Sequence, residues 1–297
     1  MNKLTTAKRA MIINMLVEGS SLRSISRVVG VSINTVSKLL VDAGKACAQY
    51  HNEHVRKVAA KNIQVDEIWQ FCYAKEKNVP DAKAAPEGTG DIWTWTALDT
   101  ESRLIVSWLL GDRGFQNAYD FMADLAERLT ARVQLVSDGL KLYKWAIEAV
   151  FGADIDFAQL VKIYGLPEGH ETRYSPPVCT GTITTQQQGR PDPDLMSTSY
   201  VEWHNLTMRM SMRRFTRLTN AFSKKLQNHA AALALYFVHY NFCRVHKALR
   251  VTPAMEAGLA DTAHDADWIV GLVDAAAPTA EKPGPKRKTR SEKSKSN

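Results

Sequence analysis

The chain has 297 residues, 45% of them hydrophobic, which is enough for a sizeable core and for two domains. Its longest apolar run, AAALALYFV at 230–238, is far short of the roughly 18 residues that a membrane span needs, and the opening MNKLTTAKRA lacks a signal-peptide apolar core. A cytoplasmic protein with no membrane partner is expected. The four cysteines, Cys47, Cys72, Cys179 and Cys243, show no CxxC spacing, so neither a disulfide framework nor a zinc knuckle is suggested.

The net charge of +7 is unevenly spread. Residues 1–61 carry ten basic and three acidic groups, 203–250 carry nine and none, and 277–297 carry seven and two, which leaves −14 for the remainder. Basic flanks therefore surround an acidic middle. A purely electrostatic nucleic-acid binder has no use for that middle, whereas an enzyme holding cations against a polyanion needs both.

In chain order, residues 5–48 predict three helices. Met11, Ile12, Met15 and Leu16 share one face of the first, Leu22, Ile25 and Val28 of the second, and Val36, Leu39 and Leu40 of the third. Gly30 sits where the second helix must turn, and Ser32 suits the N-cap of the third. This is a helix-turn-helix pattern, in which Asn34, Thr35 and Lys38 would face the DNA major groove with Arg23 and Arg27 near phosphates. A three-helix packing domain with solvated charges is the alternative. Residues 49–61, polar, basic and compatible with a helix, read as a linker.

The period then changes. Segments 63–74, 91–100 and 103–112 are rich in β-branched and aromatic residues and predict three strands, followed by a helix at 116–129, a buried strand at 132–139, a helix at 142–152 and a fifth strand at 155–165. In the 116–129 helix, Tyr119, Met122, Leu125 and Leu129 have helical spacing. The result is a mixed α/β domain with a strand added parallel after a helical crossover. Residues 166–198 break the pattern with Pro, Gly, Thr and Gln, and a small hairpin is expected at TGTITTQQQG. Two helices follow at 199–216 and 223–250, and the Pro-rich basic tail reads as disordered.

Asp66 lies in the first predicted strand and Asp138 at the end of the fourth. If the fourth strand returns beside the first, the two carboxylates converge, since neighbouring strands are about 4.8 Å apart. A helix crossing behind them adds Glu202. Three hard oxygen donors with open positions suit two magnesium ions on a phosphodiester. Glu67, next to Asp66, points to the other sheet face and reads as structural.

VDEIW, LVSDG and YVEWHNLTMRM resemble, in order and spacing, the three acidic motifs of DDE transposases. DEIWQFCYAKEKN, WTWTALD, GDR and the stretch RRFTRLTNAFSKKLQNHAAALALYFVHYNFCRVHKAL are similar to transposases of the insertion-sequence-one type. The resemblance covers roughly residues 60–260. It implies a ribonuclease-H-like catalytic core at 61–260 with an insertion at about 166–198, behind a helix-turn-helix domain and linker at 1–60 and before a C-terminal segment at 261–297. It further implies catalytic, metal-binding carboxylates at Asp66, Asp138 and Glu202, a DNA contact at Arg209 seven residues after the glutamate, and Mg²⁺ as cofactor with Mn²⁺ as substitute. Cleavage at the ends of an insertion element followed by strand transfer would be the activity, with double-stranded DNA as partner and a homodimer or higher oligomer as the assembly.

Two departures stand out. The chain lacks the cysteine-rich zinc segments common in that family, and 63 residues separate Asp138 from Glu202. Glu168 or Glu171 would shorten that separation but sit in a Pro/Gly-rich stretch with no helix to aim them. His204 and Asn205 are further candidate DNA contacts. Arg213, Arg214 and Arg217 read as phosphate contacts or as a solvated helix face. The alternatives to a transposase are a catalytically inactive helix-turn-helix regulator and a nuclease of the same fold without strand transfer.

Overall fold

Three helices open the chain: α1 (Thr6–Val17), α2 (Leu22–Val29) and α3 (Ile33–His54). The computed structural model describes residues 3–165, 177–216 and 220–277. Thr5, Ser21 and Ser32 each cap the helix that follows by accepting a backbone N–H from three residues on, and Gly30 ends α2 in the left-handed region at φ 70°. The buried faces are shifted by one residue from the sequence expectation. Ile12, Ile13 and Val17 are buried in α1 while Met11 is exposed, and in α2 Val29 is buried while Val28 is exposed.

The segment expected as a linker does not behave as one. Helix α3 continues through it to His54, and the chain beyond is tied down by Arg128, whose Nη1 donates to the Val55 carbonyl at 2.9 Å, and by Val58, which bridges to Leu129. Buried His51 points Nε2 at the Ile105 carbonyl, 3.2 Å away. The signal missed in the sequence is a stripe of small buried residues, Ala43, Gly44 and Cys47, which allows close helix approach. A Cβ on Gly44 would stand 2.4 Å from the Cα of Ala231.

The sheet follows, as expected in order and type: β1 (Asn62–Cys72), β2 (Gly90–Asp99), β3 (Ile105–Gly111), α4 (Phe115–Arg128), β4 (Gln134–Ser137), α5 (Lys141–Phe151) and β5 (Asp156–Gly165). In α4 the buried positions are Ala118, Phe121, Met122 and Leu125, and Tyr119 is exposed. Residues 178–188 form one long strand, β6 (Val178–Gln188), paired antiparallel to β5, in place of the small self-contained hairpin. Its run of Thr and Ile residues favours a continuous strand. The sheet order is β3-β2-β1-β4-β5-β6, with β1, β4 and β5 parallel and the other pairs antiparallel.

The last helices are α6 (Ser199–Ser211), α7 (Leu226–Val238), α8 (Pro253–Glu256) and α9 (Ala266–Ala275). Both long helices expected here are shorter in the fold. Helix α6 stops before Met212, and a 3-10 turn at Arg213–Phe215 then buries Phe215. Helix α7 gives way to a π-turn at His239–Cys243, which brings buried Asn241 onto β3. There its Oδ1 accepts from Ile105 N at 3.0 Å and its Nδ2 donates to the Ile105 carbonyl at 2.9 Å. Such a wide turn re-aims one side chain at the cost of helix geometry.

Helices α4 and α5 cover one sheet face, where Trp95 packs against Phe121 and Tyr143. Helices α6 and α7 cover the other, where Trp108 meets Phe237 and the Gln64 side chain caps the start of α6 by accepting from Tyr200 N and Val201 N. The chain closes on its beginning: α9 packs on α1 and α3, and Asp274 takes a bidentate pair from Arg9 at 2.6 and 2.9 Å. Among the described residues no helix is long and apolar enough to cross a membrane. Glu168, Glu171, Arg217 and the basic tail from 278 lie outside the described residues.

Candidate active site

Strand β1 pairs with β4 in parallel from Asn62↔Gln134 to Gln64↔Val136. Continued by two residues, that register sets Asp66 opposite Asp138, just where β4 ends and the chain turns away. Alternation puts Asp66 on the α6 face with Gln64, and Glu67 on the α5 face with its partner Trp95.

Each carboxylate has its own set of partners. Asn205 of α6 donates Nδ2 to Asp66 Oδ2 at 2.7 Å, and Glu67 N donates to Asp66 Oδ1 at 2.9 Å. Burial raises the Asp66 carboxyl from 3.8 to about 7, helped by the charges of Glu67 and Asp138 and least by Glu202, while the Glu67 N–H opposes the shift. Glu67 is buried and raised by burial and by Asp138. It is held by Tyr143, whose hydroxyl donates to Oε2 at 2.8 Å, and by Arg113, whose Nε donates to Oε1 at 2.7 Å.

Arg113 reaches further. Its Nη2 lies 3.9 Å from Asp138 Oδ2, and its guanidinium sits 4.6 Å from the centre of the Trp93 ring. It therefore bridges the acids from the end of β3. Asp138 is held at both side chain and backbone: Leu140 N donates to its Oδ1 at 2.9 Å, and Gln159 on β5 donates Nε2 to the carbonyls of Asp138 at 2.8 Å and Leu140 at 3.1 Å.

Glu202 stands in the first turn of α6, on the same flank as Asn205 and Arg209 by helical spacing. Its Oε1 accepts from the Thr198 hydroxyl at 2.7 Å, and its Oε2 is paired with Lys162 of β5. The Lys162 ammonium is raised: burial pulls it down, but the hydrogen bond and charge of Glu202 outweigh that. Asp66 and Asp138 are thus brought together, while Glu202 is turned toward a lysine. Among the described residues no group of three or more His, Cys, Asp or Glu is arranged to hold a metal ion. Asp66 and Asp138 offer hard oxygen donors of the kind that a divalent cation takes. A third donor from Glu202 requires the Lys162 pair to open.

The other expected contacts divide by location. Arg23, Arg27, Asn34 and Lys38 are exposed on α2 and α3, with Lys38 paired to Asp42 at 2.6 Å, and half-buried Thr35 joins the Ser32 cap. On α6, His204 and Asn205 are buried, so Asn205 serves Asp66 rather than an outside partner; Arg209 is half-buried. Arg213 is exposed. Arg214 turns inward, donating to Ser223 Oγ at 2.6 Å, and burial lowers it to about 10. Sequence reading gave no role to Arg113, Gln159 or Lys162, although Arg113 belongs to the GDR stretch that resembles the family and directly follows a predicted strand.

No protein-family model matches this chain, and no curated protein matches it. Among solved structures, the chain is similar to a Mos1 transposase paired-end complex with left transposon end, at 12% identity and a TM-score of 0.22, over 52% of this chain and 60% of that one. It is also similar to a Mos1 mariner paired end complex with Mn (10%, TM-score 0.30, 93% of this chain and 77% of that one). A third is a piggyBac transposase synaptic complex with hairpin DNA (9%, TM-score 0.37, 93% and 73%). At TM-scores this low the chemistry has to be argued from this chain's own residues.

Proposed function

We propose that this chain is a DNA transposase with a ribonuclease-H-like core, of the insertion-sequence-one type suggested by its motifs, and that its N-terminal helices act as a helix-turn-helix that finds the element ends. The observation that carries this reading is the approach of Asp66 and Asp138 on neighbouring parallel strands, with Glu202 on the helix that crosses beside them. A core that buries a carboxylate beside two others, so that it is raised to about 7, has an evident use for a cation and little use otherwise.

In this reading Asp66, Asp138 and Glu202 hold divalent magnesium, or manganese in its place. When bound, the metal supplies Lewis-acid activation of a water or 3′-hydroxyl and charge stabilisation at the leaving oxygen. The chain's residues prepare the site. Asn205 fixes the outer oxygen of Asp66, Gln159 fixes the turn that presents Asp138, and Arg113 offsets Glu67 without occupying the ligand oxygens of Asp66. Exposed Arg213 and the exposed basic groups of α2 and α3 attract phosphate. Pairing two element ends calls for at least two copies.

The test is Glu202→Gln with a duplex carrying an element end. Binding should persist while magnesium- or manganese-dependent cleavage and joining are lost. Undiminished cleavage would sink the assignment of Glu202. The Lys162–Glu202 pair favours one other reading, a DNA-binding regulator without chemistry. Wild-type protein that binds ends but never cleaves under either metal would decide for it.

A further inference from the structure

On the flank of α6 away from Glu202 lies a cavity of about 380 Å³. That is within the range of small-molecule pockets, about 300–1,000 Å³. Its cationic and aromatic lining comes from Arg103 at the β2–β3 turn, Tyr200, Trp203 and His204 of α6, and Arg244 and His246 beyond the π-turn. No carboxylate lines it, and neither arginine has an acidic partner among the described residues.

Several features look prepared for a ligand. His204 is only 3% exposed, yet neither ring nitrogen has a hydrogen-bond partner, and buried Nδ1 of His246 has none either. These three nitrogens are covered by neighbouring atoms and lie behind the cavity wall, whose face is formed by Arg103, Arg244, Tyr200 and Trp203. The His204 ring itself is fixed, edge-on to Tyr240 at 4.6 Å. Arg103 is fixed too, in the left-handed region at φ 63°, donating to the Thr100 carbonyl and stacked 3.4 Å from the centre of the Tyr200 ring. Trp203 is a large aromatic left 71% exposed.

We propose that this cavity is a nucleotide-binding pocket, separate from the carboxylates, that takes one unpaired base together with its phosphate. The aromatic rings stack on the base, and Arg103 and Arg244 take the phosphate. A metal is a poor alternative, since the lining has no acid or thiol. The nucleotide is either an extruded residue of a DNA strand or a free mononucleotide. The proposal goes beyond the transposase reading and does not depend on it, because a non-cleaving binder would use the pocket equally well.

The test uses the full chain in EDTA, so that no cleavage intervenes. One arm compares a duplex with a single unpaired 2-aminopurine against the same duplex fully paired; the other titrates dAMP by calorimetry, with inorganic phosphate as control. Quenching of the unpaired 2-aminopurine and tighter binding of that duplex are expected. Trp203→Ala and Arg244→Gln, both at exposed positions, should each reduce that preference roughly tenfold while leaving the paired duplex within about twofold. Sensitivity of dAMP binding alone to the two variants would assign the pocket to a free nucleotide. The proposal is overturned if neither ligand binds, if both variants leave binding untouched, or if phosphate binds as tightly as dAMP. Loss of magnesium-dependent cleavage with these results intact would count against the transposase reading only.

Discussion

The two flanks of α6 satisfy their polar atoms in opposite ways. Toward β5, the acids are compensated from within: Asp66 by Asn205, and Glu202 by Thr198 and Lys162. Toward β2, Arg103 and Arg244 have no acidic partner among the described residues. An unpaired buried charge costs far more than an unpaired neutral group. Folding therefore closes the acidic flank with internal partners, while the cationic flank, whose Arg244 is exposed, stays open to a ligand. The first flank must exchange partners in order to act; the second has nothing to exchange.

Asp66→Asn should break the acidic flank most severely. Removing a group that organises charge in the transition state costs on the order of 10³-fold in rate, so metal-dependent cleavage of an element-end duplex should fall by at least about that much. Fold stability should move the other way. Because the folded carboxyl sits near 7 against an ordinary 3.8, the native state binds the proton more tightly than the unfolded chain between those values. Wild-type stability from this group is full below about pH 3.8 and is lost as pH rises through 7. The advantage of Asp66→Asn over wild type in unfolding free energy should accordingly grow from pH 4 to pH 7, by roughly 2–4 kcal/mol at the upper end. A constant or shrinking difference would mean that Asp66 is not crowded.

Gln159→Leu tests whether the turn bearing Asp138 needs its clamp. Leucine fills similar space but leaves the carbonyls of Asp138 and Leu140 without the donor they now share. Groups that orient a ligand through its neighbours are worth about 10–100-fold. Cleavage should fall by that factor, with element-end binding unchanged and stability lower by about 1–3 kcal/mol. Equal losses in binding and cleavage would point to a general loosening of β4 and β5.

What could be read in advance follows from the range of the interactions. Strands β1 to β5 and their helices were legible because period and composition are local, and the order three strands, helix, strand set Asp66 and Asp138 on neighbouring strands. Gly30 and Ser32 were legible for the same reason: a turn and a cap act within three residues. The partners of the acids were not. Glu67 meets Tyr143 across 76 positions and Glu202 meets Lys162 across 40, and no periodicity encodes such pairs. The length of α3 was only partly legible, because its late buried face is made of small residues, whose value lies in letting α7 approach and not in their hydropathy. The cavity beside Trp203 was equally hidden, since Arg103 and Arg244 come to α6 from segments that are far apart in the chain.

Lys162→Met gives the smallest expected effect and separates the two flanks most cleanly. The ammonium neutralises Glu202 in the half-buried space where a third metal ligand would have to turn inward. Methionine keeps the packing of the stem and removes the charge, so a divalent cation no longer competes with it. With both side chains partly exposed, the Coulomb gain is on the order of 1 kcal/mol, or about fivefold in affinity. Manganese titrated by calorimetry should bind about that much more tightly to Lys162→Met than to wild type, and in Lys162→Met/Glu202→Gln the gain should vanish. Binding of dAMP should be the same in all three proteins, because the β2 flank shares the helix but none of these partners. If manganese affinity were unchanged by Lys162→Met, the pair would be a surface contact with no hold on the acids. If dAMP binding moved together with manganese, the two flanks of α6 would be one site.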